Sequence, residues 1–215
     1  MNTYRTPWAR INCNWPSWRD HLPDTQEQVP QHIRKRLAKF ADANGTQKMQ
    51  TLDPDPQLQA VYLEISQRLG LERAYVKLVV QSPGGQIHPH VDTELATPKN
   101  EDPEYTLLRR IVKRANPDNT YGHHFRDMSP EEQEQQLERV FVFLEDHEPG
   151  QIVMMDNEVI NTWRRGDVLW FNWRRCLHAT CNISRRARPI LQIMGIRTER
   201  WYEIHGSQRL TTIEI

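Results

Sequence analysis

The stretch from Arg139 to Trp173, RVFVFLEDHEPGQIVMMDNEVINTWRRGDVLWFNW, decides the fold class. RVFVFLED (139–146) is a short run of β-branched and aromatic residues, closed by the turn Glu148-Pro149-Gly150. QIVMMD (151–156) and EVINTW (158–163) flank Asn157 in the manner of a hairpin, and Arg165-Gly166-Asp167 turns the chain into VLWFNW (168–173). Short strands at close spacing, broken by Gly, Pro, Asn and Asp, point to a β-sandwich or barrel.

Working outward, PILQIMGI (189–196) is a further strand, and AYVKLVVQ (74–81) is another, ended by Ser82-Pro83-Gly84-Gly85. Before residue 74 the period changes. Val29, Ile33, Leu37 and Phe40 recur at helical steps over 29–42, with Pro30 in the first turn and Asn44-Gly45 as the stop. Leu58, Val61, Tyr62, Ile65 and Leu69 form one stripe over 55–69, opened by Asp55-Pro56 and closed by Gly70. Residues 1–25, rich in Trp and Pro, read as an irregular arm laying aromatics on the body. Residues 93–138 interrupt the strands with a helix expected at 105–115 and an acidic stretch, 129–138, where Ser129 and Glu132 fit a capping box. The expected organisation is residues 1–73 as arm and helices packed on a core of residues 74–215, with 93–138 as an insertion able to cover a substrate.

The 215 residues suit one domain with an appendage. Lys plus Arg and Asp plus Glu both number 28, so the zero net charge argues against a generally basic nucleic-acid binder. No apolar run approaches the ~20 residues of a membrane span. The start has no apolar signal segment, and three cysteines (Cys13, Cys176, Cys181) make a poor disulfide framework, so a cytoplasmic setting is expected. Cys176 and Cys181 read as small core thiols, because Cys-x4-Cys without a second Cys/His pair is weak support for zinc.

The chemistry is concentrated in Gly84-Gly85-Gln86-Ile87-His88-Pro89-His90-Val91-Asp92-Thr93. Residues two apart on extended chain project to one face, so His90 and Asp92 can reach one metal ion. His178, in RRCLHATCN after VLWFNW, supplies a third ligand. Two His and one carboxylate leave three positions open, the arrangement of non-heme Fe(II) oxygenases. Arg188 opens the strand RPILQI, and its guanidinium can hold a carboxylate in a bidentate fork. His88 is the rival of His90, but it precedes Pro89 and lacks a carboxylate two residues on. The pair His123-His124 reads as a loop feature.

On these residues the chain resembles the Fe(II)/2-oxoglutarate-dependent oxygenases, especially small phage-type and bacterial prolyl-hydroxylase-like members. The resemblance rests on His90-Val91-Asp92, His178 and Arg188 in that order, on W-x-x-G-D-V-x-W-F from Trp163 to Phe171, on H-x-x-x-N from His178 to Asn182, and on R-x-x-L-Q-I from Arg188. It covers roughly residues 75–196. It implies a mainly β fold with flanking α-helices, the double-stranded β-helix, also called jelly roll or cupin-like. It implies that His90, Asp92 and His178 bind Fe(II), that Arg188 pairs with 2-oxoglutarate, and that O2 is consumed as succinate and CO2 are released. A further partner for 2-oxoglutarate is sought among Tyr75, Lys77, Gln81 and Gln151, since one residue of register reverses the face. Asn182 either bonds near the metal or caps structure. The carboxylate at Asp92 disfavours halogenation.

The expected substrate is a small molecule, amino acid or peptide side chain, with no membrane partner. The late arginines (Arg164, Arg165, Arg174, Arg175, Arg185, Arg186, Arg188, Arg197, Arg200) keep a nucleic-acid substrate as an alternative. Pairing of that face with the acidic stretch 131–138 is favoured over it. Trp163, Trp170 and Trp173 read as core. A cupin-like metal- or sugar-binding module without oxygenase activity is the third reading.

Overall fold

A computed structural model describes residues 4–15, 17, 49–52, 56–91, 128–173, 175–207 and 209–215, and the structural statements that follow concern these. The strands are β1 (Tyr4–Asn12), β2 (Met49–Leu52), β3 (Leu71–Gln81), β4 (Gly85–His90), β5 (Leu137–Phe143), β6 (Gln151–Met155), β7 (Glu158–Ile160), β8 (Asp167–Phe171), β9 (His178–Asn182), β10 (Arg188–Arg197) and β11 (Thr211–Glu214). The helices are α1 (Pro56–Arg68), α2 (Pro130–Gln136) and α3 (Glu199–Gly206). A seven-stranded sheet runs β11-β1-β8-β5-β10-β3-β2, and a four-stranded sheet runs β4-β9-β6-β7. From β3 the chain keeps changing sheets: β3 is in the large one and β4 in the small, β5 in the large and β6–β7 in the small. β8 returns to the large sheet, β9 to the small and β10 to the large. That winding is the double-stranded β-helix, a jelly roll.

Alternation along the strands sorts the side chains into two apolar layers. Val76, Leu78 and Val80 of β3, Val140 and Val142 of β5, and Leu191 and Ile193 of β10 face outward, against Tyr62 and Ile65 of α1, Leu69 just after it, and Trp201 and Ile204 of α3. Val79, Phe141, Phe143, Leu169, Phe171 and Ile190 face inward, against Val153, Met155 and Ile160 of the small sheet. β10 is covered on both faces, which is why it reads as a near-continuous apolar run. Trp8 of β1 and Trp201 are fully buried with ring centroids 4.3 Å apart, an aromatic pair contributing about 1 kcal/mol beyond its area. Gly70 ends α1 with φ +77°, and a Cβ there would lie 2.2 Å from the Trp201 amide nitrogen, so glycine lets α1 and α3 meet.

Several expectations meet the structure closely. α1 lies within 55–69, and the hairpin turns at Asp156 (φ +51°) and Asn157. The capping box of α2 is reciprocal: the Ser129 amide donates to Glu132 Oε2 at 2.7 Å and the Glu132 amide to Ser129 Oγ at 3.1 Å. Cys176 is a buried thiol against the Met155 sulfur, 3.7 Å away.

Others are corrected. The supposed arm contains β1, an antiparallel partner of β8 and a parallel partner of β11. Pro7 falls in a register irregularity between Arg5 and Ala9, where a missing amide hydrogen is tolerated. β2, β9, α3 and β11 were not expected at all. The interruption after β4 ends before residue 138, since Leu137 and Glu138 already belong to β5. The helices expected at 29–42 and 105–115 lie outside the described residues.

Candidate metal centre

β4 and β9 are antiparallel neighbours in the small sheet, and their register places His90 directly opposite His178. Ile87 pairs with Thr180, so three steps on β4 match two on β9. This bulge, which contains Pro89, shifts the alternation by one and turns both Ile87 and His90 to the inner face. The two imidazole centroids are 4.3 Å apart, close enough for both rings to ligate one ion. His178 is buried, its ring 4.9 Å from that of Phe171, and its Nδ1 is 3.2 Å from the Cys176 carbonyl oxygen. A carbonyl only accepts, so Nδ1 carries the proton and the ring lone pair lies on Nε2. Asp92 and the side chain of His88 lie outside the described residues. Among the described residues no three His, Cys, Asp or Glu converge on one point.

Arg188 opens β10 opposite Gln81 at the end of β3. It is 3% exposed and reaches across the fold, donating from Nη1 to the Ile152 carbonyl of β6 at 3.0 Å. Burial pushes its guanidinium down to about 10, and it stays cationic at neutral pH. Its Nε is buried with no acceptor among the described residues. Gln81 bridges the sheets too, donating from Nε2 to Thr180 Oγ1 at 2.9 Å, while its own Oε1 is buried without a partner among the described residues. Thr180 is two residues from His178 on β9, about 7 Å along the strand. The two histidines and the Arg188–Gln81 pair therefore sit at two levels of one interior. A buried cation with an unanswered N–H at that second level suits one end of a dicarboxylate whose other end binds a metal at the first.

The other candidates separate by position. Tyr75, Lys77 and Gln81 share the inner face of β3, but Tyr75 and Lys77 lie toward Met194 and Gln192, on the far side of Val79 from Arg188. Lys77 Nζ stands 5.0 Å from the Tyr75 ring centroid, and Arg139 lies 4.8 Å over Trp173. Gln151 is buried; its Nε2 is 3.5 Å from Ser184 Oγ and its Oε1 accepts from the Glu148 amide at 3.4 Å. Asn182 is committed locally: Nδ2 donates to the Gln81 and Arg186 carbonyls, and Oδ1 accepts from the Ser184 amide and hydroxyl. Sequence reasoning missed Thr180 and Phe171. The signal for Thr180 was its place two residues after His178, readable only once β9 is known to be a strand.

Of the late arginines, Arg197 pairs with Glu138 at 3.3 Å, Arg200 with Glu203 at 2.9 Å, and Arg186 approaches Glu148 at 3.9 Å. Trp163 and Trp173 are buried, and Trp170 is half-buried with its Nε1 donating to Glu138. Among the described residues no helix is long and apolar enough to cross a membrane.

No protein-family model matches the chain, and no curated protein matches it in sequence. Among solved structures it is similar to a Pseudomonas putida prolyl-4-hydroxylase at 16% identity, over 79% of this chain and 89% of that one, with TM-score 0.36. It is similar to a Cupin 2 conserved barrel domain protein from Salinispora arenicola at 10% identity, over 77% and 92%, with TM-score 0.31. A non-heme alpha-ketoglutarate-dependent epimerase of nogalamycin biosynthesis, SnoN, overlaps at 12% identity, over 81% and 75%, with TM-score 0.39. Overlaps this loose leave the chemistry undetermined, and the side chains on the inner face must supply it.

Proposed function

We propose that the protein is an Fe(II)- and 2-oxoglutarate-dependent dioxygenase that hydroxylates a C–H bond of a small molecule, amino acid or peptide side chain. The observation that carries this reading is the opposition of His90 and His178 above a buried guanidinium whose Nε–H no described residue answers. In this reading His90, His178 and Asp92 hold the iron, and Arg188 holds the far carboxylate of 2-oxoglutarate. Bound iron and 2-oxoglutarate supply the oxidising power of O2, with release of succinate and CO2. The chain's own contribution is positional. The Cys176 carbonyl fixes the His178 tautomer, and Phe171 packs against that ring. Arg188, held by the Ile152 carbonyl, meets its carboxylate with little loss of side-chain freedom. The apolar inner residues Phe141, Phe171, Met155 and Ile190 keep water from the interior.

The test is Fe(II)-dependent conversion of 2-oxoglutarate to succinate in air, without added substrate, for wild type and His90→Ala. Succinate from wild type and none from the variant is the expected result. Failure of wild type to bind both Fe(II) and 2-oxoglutarate refutes the reading and leaves a cupin-like binding module, for which Arg188→Ala should be silent.

A further inference from the structure

Three side chains stand in one row across the inner face of the small sheet. The register sets His90 of β4 opposite His178 of β9, and His178 opposite Met155 of β6. Directly opposed residues on one face hold their Cβ atoms about 5 Å apart, within reach of a long side chain. Met155 is fully buried among the inner apolar residues, and its Sδ lies 3.7 Å from the buried Cys176 Sγ. The Cys176 carbonyl accepts from Nδ1 of His178 at 3.2 Å, so the Cys176 main chain lies at the Nδ1 edge of the ring, away from the Nε2 lone pair. Of the side chains packed around His178, Phe171 presents an aromatic ring and Met155 a sulfur lone pair, the easier target for an oxygen atom.

We propose that Met155 is the site at which the protein oxidises itself when 2-oxoglutarate and O2 are consumed without a substrate, its thioether becoming a sulfoxide. The inference rests on the proposed reaction. The step balances. Cleavage of 2-oxoglutarate to succinate and CO2 supplies two of the four electrons that O2 takes up, and the sulfur lone pair supplies the other two. One oxygen atom enters succinate, the other forms the S–O bond, and no proton moves. The product sets a polar group into an apolar wall beside His178, so idle turnover ends in damaged protein. Met154 supplies the control. It is the preceding residue of β6, turns to the other side of the sheet and is 39% exposed, whereas Met155 is 0% exposed. Peroxide in solution attacks the exposed thioether first, and an oxygen atom delivered from the interior attacks the buried one.

The full chain is incubated with Fe(II), 2-oxoglutarate and catalase in air, and its peptides are weighed. Wild type is expected to gain one oxygen, about 16 Da, on Met155, with at least about ten times less on Met154, and His90→Ala should gain none. Fragmentation of the peptide that carries both methionines places the oxygen without recourse to a variant. A second readout is free of turnover. With isotope-labelled methionine methyls and Mn(II) in place of iron, the Met155 methyl resonance, assigned by its loss in Met155→Leu, should be broadened far more than that of Met154. A wild type that binds no Mn(II) refutes the proposed reaction and this inference with it. Bound Mn(II) with no sulfoxide at Met155, with the oxygen on Met154 or Cys176 in its place, or with equal broadening of the two methyls, overturns this inference and leaves the reaction standing.

Discussion

Replacing Arg188 by Met separates a guanidinium kept for a ligand from one kept for the fold. The side chain is 3% exposed, and among the described residues its one hydrogen-bond partner is the Ile152 carbonyl at 3.0 Å. Burial lowers its pKa to about 10. A base whose folded pKa is depressed destabilises the native state at every pH below that value. The cost fades only as pH rises above about 10. At neutral pH the shift amounts to roughly 3 kcal/mol. Methionine has similar volume, removes the charge, and gives up one charge-assisted hydrogen bond of about 1.5–3 kcal/mol. The variant should therefore match wild type or gain up to about 1.5 kcal/mol, raising the melting midpoint by about 0–5 °C. Redox-stable Mn(II) with 2-oxoglutarate at about a hundred times its dissociation constant should stabilise wild type by about 2.7 kcal/mol, or about 5–10 °C. Arg188→Met should show almost none of that gain. Calorimetric melts with and without the ligands measure both quantities. A variant that melts well below wild type without ligand, or that keeps the ligand-induced rise, refutes the reasoning and makes Arg188 a clamp between β10 and β6.

Gly70→Ala should cost at least about 2 kcal/mol in urea unfolding, since its φ is +77° and the new Cβ would meet the Trp201 amide nitrogen at 2.2 Å; a loss under ~0.5 kcal/mol would mean the α1–α3 junction is not held as described. His205 sits 4.5 Å from the Trp170 ring and 6.0 Å from that of Trp201, and burial, then Arg5 and Arg197, push its pKa down. Its neutral form belongs to the fold, so stability should hold above about pH 6.5 and fall as pH drops below it, with tryptophan emission reporting the change. His205→Gln should remove that component of the acid sensitivity, and an identical pH profile in the variant would count against it.

What the sequence made legible follows from which faces are apolar. β3, β5 and β10 are packed on both faces, so their residues form apolar runs that read as strands whatever the register. β9 runs the other way: His178, Thr180 and Asn182 face inward, and Leu177, Cys181 and Ile183 do not. Hydropathy alternation misassigns such a strand, because its inner face lines a polar site. His90 and His178 were legible as residue types, but their opposition depends on the β4 bulge, which no local pattern announces. Tyr75, Lys77 and Gln81 were legible as sharing a face. Only the register of β3 against β10 sets Gln81 beside Arg188 and the other two away from it. α3 was hidden because its polar surface leaves only Trp201 and Ile204 buried.

The position of β1 carries a consequence for the time at which the fold can close. Its partners are β8 and β11: Arg10 meets an aspartate 157 residues later, and Asn12 a glutamate 202 residues later. As the chain emerges from a ribosome, β1 is made well before its partners and, among the described strands, is one of the last to be satisfied. Trp8 and Ile11 stay without their native cover until α3 and β11 have followed. Contacts of such long sequence separation make closure of the large sheet slow, and the waiting edge is exposed to other chains meanwhile.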